Sequence, residues 1–303
     1  MSDATLDLTL REQVARRSTW VSMVVNVVLT LAQLWVGLLT KSQALIADAI
    51  HSLSDMLSDV IVLVVNRQSH KAADAEHPYG HQRFETASSL VLGLLLIGVG
   101  IGMIWRVVPY LTADGPVAPL LDPLALYVAL FTLVCKEGLF RYLLNQAEKV
   151  RSSMLVANAW HSRSDAASSL VVALGIGGNM MGYPMMDAVA ALIVGLLILR
   201  MGGQFAWRAL DDLMDRAADA EHIQRIRQAI ETTPGVLGHH DLRTRKMGDL
   251  ILVDVHLEVE GHQTVLQAHE ITELVRQRIL ASGAPVLNVM THLDPVIPTQ
   301  ATT

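Results

Sequence analysis

Ala47-Asp48-Ala49-Ile50-His51-Ser52-Leu53-Ser54-Asp55-Met56-Leu57-Ser58 recurs later in the chain as Ala157-Asn158-Ala159-Trp160-His161-Ser162-Arg163-Ser164-Asp165-Ala166-Ala167-Ser168. Both stretches read A-[D/N]-A-x-H-S-x-S-D-x-x-S. His51 and Asp55, like His161 and Asp165, stand four residues apart and therefore share one face of a helix. Two such faces turned toward each other offer two imidazoles and two carboxylates, a tetrahedral set suited to zinc.

The surroundings of the repeat are apolar. Thr19–Thr40 and Thr86–Trp105 carry no charge, and about 20 residues at ~1.5 Å each cross a ~30 Å hydrocarbon layer. Four more candidate spans lie at 42–66, 122–143, 153–179 and 186–205, so the two motifs fall in the second and fifth of six. Only 17% of the 303 residues are charged, against about 25% in ordinary soluble proteins. The composition turns soluble after residue 207. The expected organisation is a cytoplasmic N-terminal segment (1–18), a six-helix transmembrane domain (19–207), a cytoplasmic α+β domain (208–296) and a short tail (297–303). Residues 1–18 include Asp3, Asp7 and Glu12 and show no cleavage site, unlike a signal peptide.

Arg11, Arg16, Arg17, Arg67, Lys71, Arg83, Arg141, Lys149 and Arg151 fall on one side of the expected topology, against Lys41 and Arg106 on the other. Positive residues stay inside, which places both termini in the cytoplasm and makes the two motif helices antiparallel. An inverted repeat of two three-helix halves has that arrangement, with its site at the midplane. His51 lies ~14 Å along its helix from the outer edge and His161 ~15 Å from the inner edge, so both fall near the bilayer centre. Charges there cost at least ~2.5 kcal/mol and mark function more often than structural pairing. Asp48 and Asp59 fall near the same face and are secondary candidates for entry or proton-path groups. Lys136, Glu137 and Arg163 are also intramembrane and are expected to form ion pairs, the alternative being a part in gating. The serines of the two motifs permit close helix approach. The glycines of the third and fifth spans read as ordinary packing.

With a single cysteine, Cys135, there is neither a disulfide framework nor a thiolate metal site. The net charge of −6 and the lack of a basic stripe argue against nucleic acid. The tail reads helix (Glu221–Thr232), hairpin strands around Met247-Gly248-Asp249, helix (Val265–Leu280) and strand (Val286–Leu293). In Leu250–Val259 the apolar residues occupy one face, with His256 and Glu258 on the other. Six of the twelve histidines, His239, His240, His256, His262, His269 and His292, lie in 239–292, which favours metal binding there. His77-x-x-x-His81 with Asp74 upstream is a further possible metal loop, although Pro78 and Gly80 oppose a regular helix.

On the paired H-x-x-x-D motifs, on Asp74-Ala75-Glu76-His77-Pro78-Tyr79-Gly80-His81 and on the tail segments around His240, His256, His269 and His292, the chain resembles the cation diffusion facilitator family. The resemblance covers nearly the whole chain and is closest to bacterial zinc, iron and cadmium efflux members. It implies a homodimer in the bacterial inner membrane that exports Zn2+ in exchange for protons, with Fe2+, Cd2+, Co2+ or Ni2+ as alternatives. It also implies a ferredoxin-like, metallochaperone-like cytoplasmic domain with a regulatory metal. By similarity His51, Asp55, His161 and Asp165 form the transport site, and Asp74, His77 and His81 a loop site. His240, His256, His269, His292 and Asp294 match a dimer-interface site, and Arg83 with Asp215 a pair that locks two protomers. Many bacterial members carry Asp where His51 stands, and imidazole in place of a hard oxygen favours zinc over manganese or magnesium. A histidine-rich loop is absent from 141–153. The competing expectations are a non-transporting metal sensor or scaffold of the same fold and a membrane di-iron oxygenase. The latter needs clustered histidine boxes that this chain lacks.

Overall fold

The computed structural model describes residues 3–69, 71, 73–112, 119–150 and 153–297. Arg151 and 298–303 lie outside the described residues, as do the side chains of Asp3, Asp7, Arg11, Glu12, Asp59 and Arg67. The described residues form two compact units, 1–61 with 92–204 and 62–91 with 205–303.

Six long helices come first: α1 (Asp3–Thr40), α2 (Gln43–Ser69), α3 (Arg83–Leu111), α4 (Pro123–Lys149), α5 (Ser153–Met180) and α6 (Met185–Leu213). Within α1, α3, α4 and α6 lie segments long and apolar enough to cross a membrane. The other two, α2 and α5, have 27 and 28 residues, about 40 Å of helix, so length is not what sets them apart. They are the helices that carry the repeated polar motif. Helix α1 begins at Asp3 rather than near Thr19, because hydropathy locates the membrane crossing whereas the Leu, Ala, Arg, Glu and Gln residues before it are themselves good helix formers.

In the first unit Ala44, Leu45, Leu96, Ala125, Val172, Ile176, Val194 and Ile198 make a buried core. Trp35, Trp105 and Phe131 point outward, as a lipid-facing surface requires. Small residues bring α3 and α6 together. A Cβ on Gly202 would lie 2.8 Å from the Ile97 backbone nitrogen, and one on Gly100 would lie 2.9 Å from that of Leu199. Backbones this close exclude any larger residue.

The second unit contains α7 (Ala220–Glu231), β1 (Gly238–Met247), β2 (Leu250–Glu260), α8 (Val265–Leu280) and β3 (Val286–Val296). The sheet order is β1-β2-β3, with β1/β2 antiparallel and β2/β3 parallel. Gly248, at a φ of 62°, supplies the left-handed residue for the β1–β2 turn. Thr264 and Gln267 form a capping box that starts α8. The alternation of β2 places Ile251, Val253, Val255, Leu257 and Val259 on a buried face, and the first four pack with Ile226, Ile230, Val275 and Ile279 of the two helices. On the other face, beyond the buried Leu252, stand Asp254, His256 and Glu258.

Candidate metal centre

The motif helices bring His51, Asp55 and Asp165 together, with one ligand atom of each within 4.8 Å of the others. His51 Nε2 lies 3.8 Å from Asp55 Oδ2. His51 is buried and its Nδ1 has no hydrogen-bond partner, an arrangement that costs about 1–3 kcal/mol unless something binds there. His161 does not belong to the closed set. It lines, with Asp55, Asp165, Asn158, Ser52 and Lys136, a polar cavity of about 50 Å³. A water occupies ~30 Å³ of liquid, so the cavity suits an ion and not an organic substrate.

Beside this cavity lies a buried polar network. Asp48 accepts hydrogen bonds from Gln33 Nε2, Ser168 Oγ (3.2 Å) and Ser169 Oγ (2.7 Å). Lys136 Nζ donates to Ser169 Oγ at 2.8 Å and Ser52 Oγ at 3.2 Å, and stands 3.5 Å from Asp48 Oδ2. The ion pair expected of Lys136 is therefore with Asp48, and that of Glu137 is with Arg141 at 2.9 Å. The expectation for Arg163 is corrected. Its guanidinium lies 4.9 Å from the Phe140 ring and 5.1 Å from that of Trp160, because the aromatic faces replace a carboxylate as its partner.

The loop residues also converge. Asp74 Oδ1 and Oδ2 lie 3.3 Å from His77 Nδ1 and 3.4 Å from His81 Nε2, and the two imidazole centroids are 4.4 Å apart. No helical turn carries them. Asp74 accepts the backbone N–H groups of His77 and Glu76, and Gly80 adopts a φ of 85°. Those N–H bonds, His77 first, hold the Asp74 carboxyl below the usual range. In the sheet, His240 pairs in register with His256 and His256 with His292, which places three imidazoles in one row on the polar face. Asp294 Oδ2 lies 3.1 Å from His240 Nε2 and 2.9 Å from His256 Nδ1, and Asp294 Oδ1 lies 3.6 Å from His292 Nε2. The hydrogen bond from His256, aided by the neighbouring imidazoles, lowers the Asp294 carboxyl. His269 is exposed on α8 and does not join this cluster, because the face that α8 buries runs through Ala268, Thr272, Val275 and Ile279. Arg83 and Asp215 do pair, at 2.7 Å, within a single chain, and Arg83 Nε also reaches Met247 Sδ.

These clusters offer the imidazole and carboxylate donors that suit a divalent transition metal. Asp74 and Asp294 bind their protons less readily folded than unfolded. Their stabilisation is therefore present at neutral pH and is lost only as pH falls below about 4. Free imidazole titrates near ~6.5, so metal on the loop and tail clusters is expected to leave between about pH 7 and pH 5 with the fold intact. Metal retention measured beside far-ultraviolet circular dichroism checks this, and release only below pH 4 would exclude histidine as the governing ligand.

Sequence reasoning missed Asp187. This buried residue at the start of α6 accepts from Ser42 Oγ (2.6 Å) and from the backbone N–H groups of Gln43 (2.7 Å) and Ala44 (3.3 Å), so it caps α2 from another helix. An acid just after the Gly182–Pro184 turn was the available signal, but nothing local names its partner.

The arrangement defines a polytopic helical membrane protein with a His/Asp cluster between two of its helices and further His/Asp clusters in an α+β domain. Residues 19–214 match the cation efflux transmembrane domain and residues 218–296 the cytoplasmic domain of cation efflux proteins. The chain belongs to the cation diffusion facilitator family, a family of transporters and not of enzymes, and is a multi-pass membrane protein with a cytoplasmic C-terminal domain. It is 37% identical over 280 residues to metal tolerance protein C1 of Arabidopsis thaliana, covering 88% of this chain and 59% of that longer protein. It is 31% identical over 292 residues to the manganese efflux system protein MneP of Bacillus subtilis, covering 94% of this chain and 97% of that protein. The metal-bound C-terminal domain of the CzcD transporter from Thermotoga maritima matches 25% of this chain and 87% of its own, with 28% identity and a TM-score of 0.24.

Proposed function

We propose that the protein is a homodimeric divalent-metal/proton antiporter that exports its substrate from the cytoplasm through His51, Asp55, His161 and Asp165. The observation that carries this reading is the convergence of His51, Asp55 and Asp165 from two helices beside an ion-sized cavity that Asp55, Asp165 and His161 line. Protons and metal compete for the same imidazole nitrogens, so an inward proton gradient can drive metal outward. The loop and tail clusters then serve as cytoplasmic metal sites that stabilise the dimer.

Zinc is the substrate that two imidazoles and two carboxylates suit best. Manganese is the second reading, supported by the Bacillus relative's name and by the closed set itself, whose one imidazole and two carboxylates are harder than the full tetrad. Proteoliposomes with an internal pH dye separate the two. Zinc is expected to drive proton counterflow at concentrations at least about tenfold below manganese. His161→Ala should reduce zinc flux far more than manganese flux. A wild-type preference for manganese would transfer the assignment to that metal.

A further inference from the structure

The cavity between the motif helices has two unlike ends. With the C-terminal domain in the cytoplasm and the six helices crossing in turn, α1 and α5 run outward and α2 and α4 run inward. On α5 the cavity is lined by Asn158 and His161, both exposed, and the outermost lining residue is Asp165. One turn further out Ser168 and Ser169 are buried, and beyond them Val172 is completely so. The other helices agree. Asp48 stands about two turns, ~11 Å, outward of the lining residue Asp55 on α2, and Gln33 stands as far outward of the lining residue Asn26 on α1. Both Asp48 and Gln33 are fully buried. The exposed lining therefore lies toward the cytoplasmic half, and the outer end is shut.

The polar network around Asp48 shuts it. Lys136 of α4 lines the cavity and donates to Ser52 of α2 and Ser169 of α5, while Asp48 accepts from Gln33 of α1 and from Ser168 and Ser169 of α5. Four helices thus meet on one lysine–aspartate pair. Further out the bundle closes on Ala44, Leu45, Ala129 and Ile176. A buried ion pair is a weak device for stability, since an apolar replacement is often as stable or more so. It suits a contact that must separate, because ammonium, carboxylate and hydroxyls exchange their lost bonds for water when the helices part. A fixed ammonium at the outer end of a cation cavity also repels a divalent ion from that end while the ion loads from the other.

Resting on the antiporter reading, we infer that the Lys136–Asp48 pair, with Gln33, Ser168 and Ser169, is the outer gate of the metal path. It holds the site closed to the outside while metal enters from the cytoplasm. Its bonds from α2 to α4 and α5 separate when metal leaves. Lys136 and Asp48 are thus positioning residues for the change of access and not metal ligands.

The test reads access. In a Cys135→Ser background, one cysteine is introduced either at Val172, on the shut outer side, or at Asn158, in the exposed inner lining. Its rate of reaction with a water-soluble maleimide is measured on the purified full-length protein in detergent. With the gate intact, Asn158→Cys should react fast and Val172→Cys slowly, and equal rates would overturn the closure itself. Lys136→Met and Asp48→Asn each leave one charge unbalanced in the closed gate, and water restores the balance only when the gate is open. Either variant is therefore expected to raise outer labelling at least about tenfold and to lower inner labelling about threefold. If one of them fails to fold, the other carries the test. Lys136→Met/Asp48→Asn leaves no charge unbalanced and should return outer labelling to within about threefold of the parent. A pair that only stabilises the bundle would loosen it when broken, so that both reporters speed up together. That result overturns the inference, as do unchanged rates in the single variants or a double variant as accessible from outside as the single ones. Labelling needs no transported ion, so its outcome stands apart from the flux measurements that test the antiporter reading.

Discussion

Replacing Asp55 and Asp165 together by alanine is expected to reduce zinc-driven proton counterflow to the level of protein-free liposomes. The two carboxylates supply two of the three ligand atoms that close within 4.8 Å, one from each motif helix. Removing even an outer-shell partner of a metal ligand typically costs about 10–100-fold in affinity, and two direct ligands must cost more. The remaining imidazoles, His51 and His161, carry no negative charge to balance a divalent ion in a low-dielectric cavity. Metal on the loop and tail clusters should persist, because Asp74 and Asp294 and their histidines belong to other groups of side chains. The comparison therefore uses two readouts on one sample, flux and bound metal. Undiminished counterflow in the double variant would remove the tetrad from the transport path. A chain that still binds metal yet shows no flux with any divalent ion, wild type included, would fit a sensor or scaffold.

Leu257→Ala should destabilise the cytoplasmic domain by about 2–5 kcal/mol, the usual range for deleting most of a buried leucine. Leu257 is fully buried in β2, in the cluster that includes Ile226, Ile230, Val255 and Val275. Its neighbours along the strand, His256 and Glu258, face the other way. The cavity would thus loosen the strand that sets the imidazole row without touching any ligand. Hydrogen exchange over residues 250–260 measures the loss directly, and metal retention by the tail should weaken in parallel. His262→Ala, at an exposed position after β2, serves as a control expected to stay within about 0.5 kcal/mol of wild type. If exchange over β2 is unchanged in Leu257→Ala, the sheet is held by something other than this core.

Much of the architecture was legible because its signals are local. Twenty-residue apolar runs, the alternation of β2 and the amphipathic pattern of α8 need no partner to be read, and α8 spans Val265–Leu280 as its periodicity implies. The start of α1 at Asp3 was not legible, since the end of an apolar run does not end a helix. The duplicated motif showed which residues of α2 and α5 share a face. Nothing in its spacing showed that His51, Asp55 and Asp165 close together while His161 stands beside them.

The sequence by itself determined the six-helix membrane domain, the α+β tail and the two H-x-x-x-D faces. Each of these follows from hydropathy and from a periodicity of 3.6 or 2 residues along one chain segment. Only the tertiary structure decided that Asp48 accepts from α1 and α5, that Lys136 of α4 lines the same polar cavity as Asp55, His161 and Asp165, and that strand register aligns His240, His256 and His292 over Asp294. These are distances between side chains of different elements. Helix rotation and strand register set them, and both come from packing across the whole core and leave no mark in local spacing.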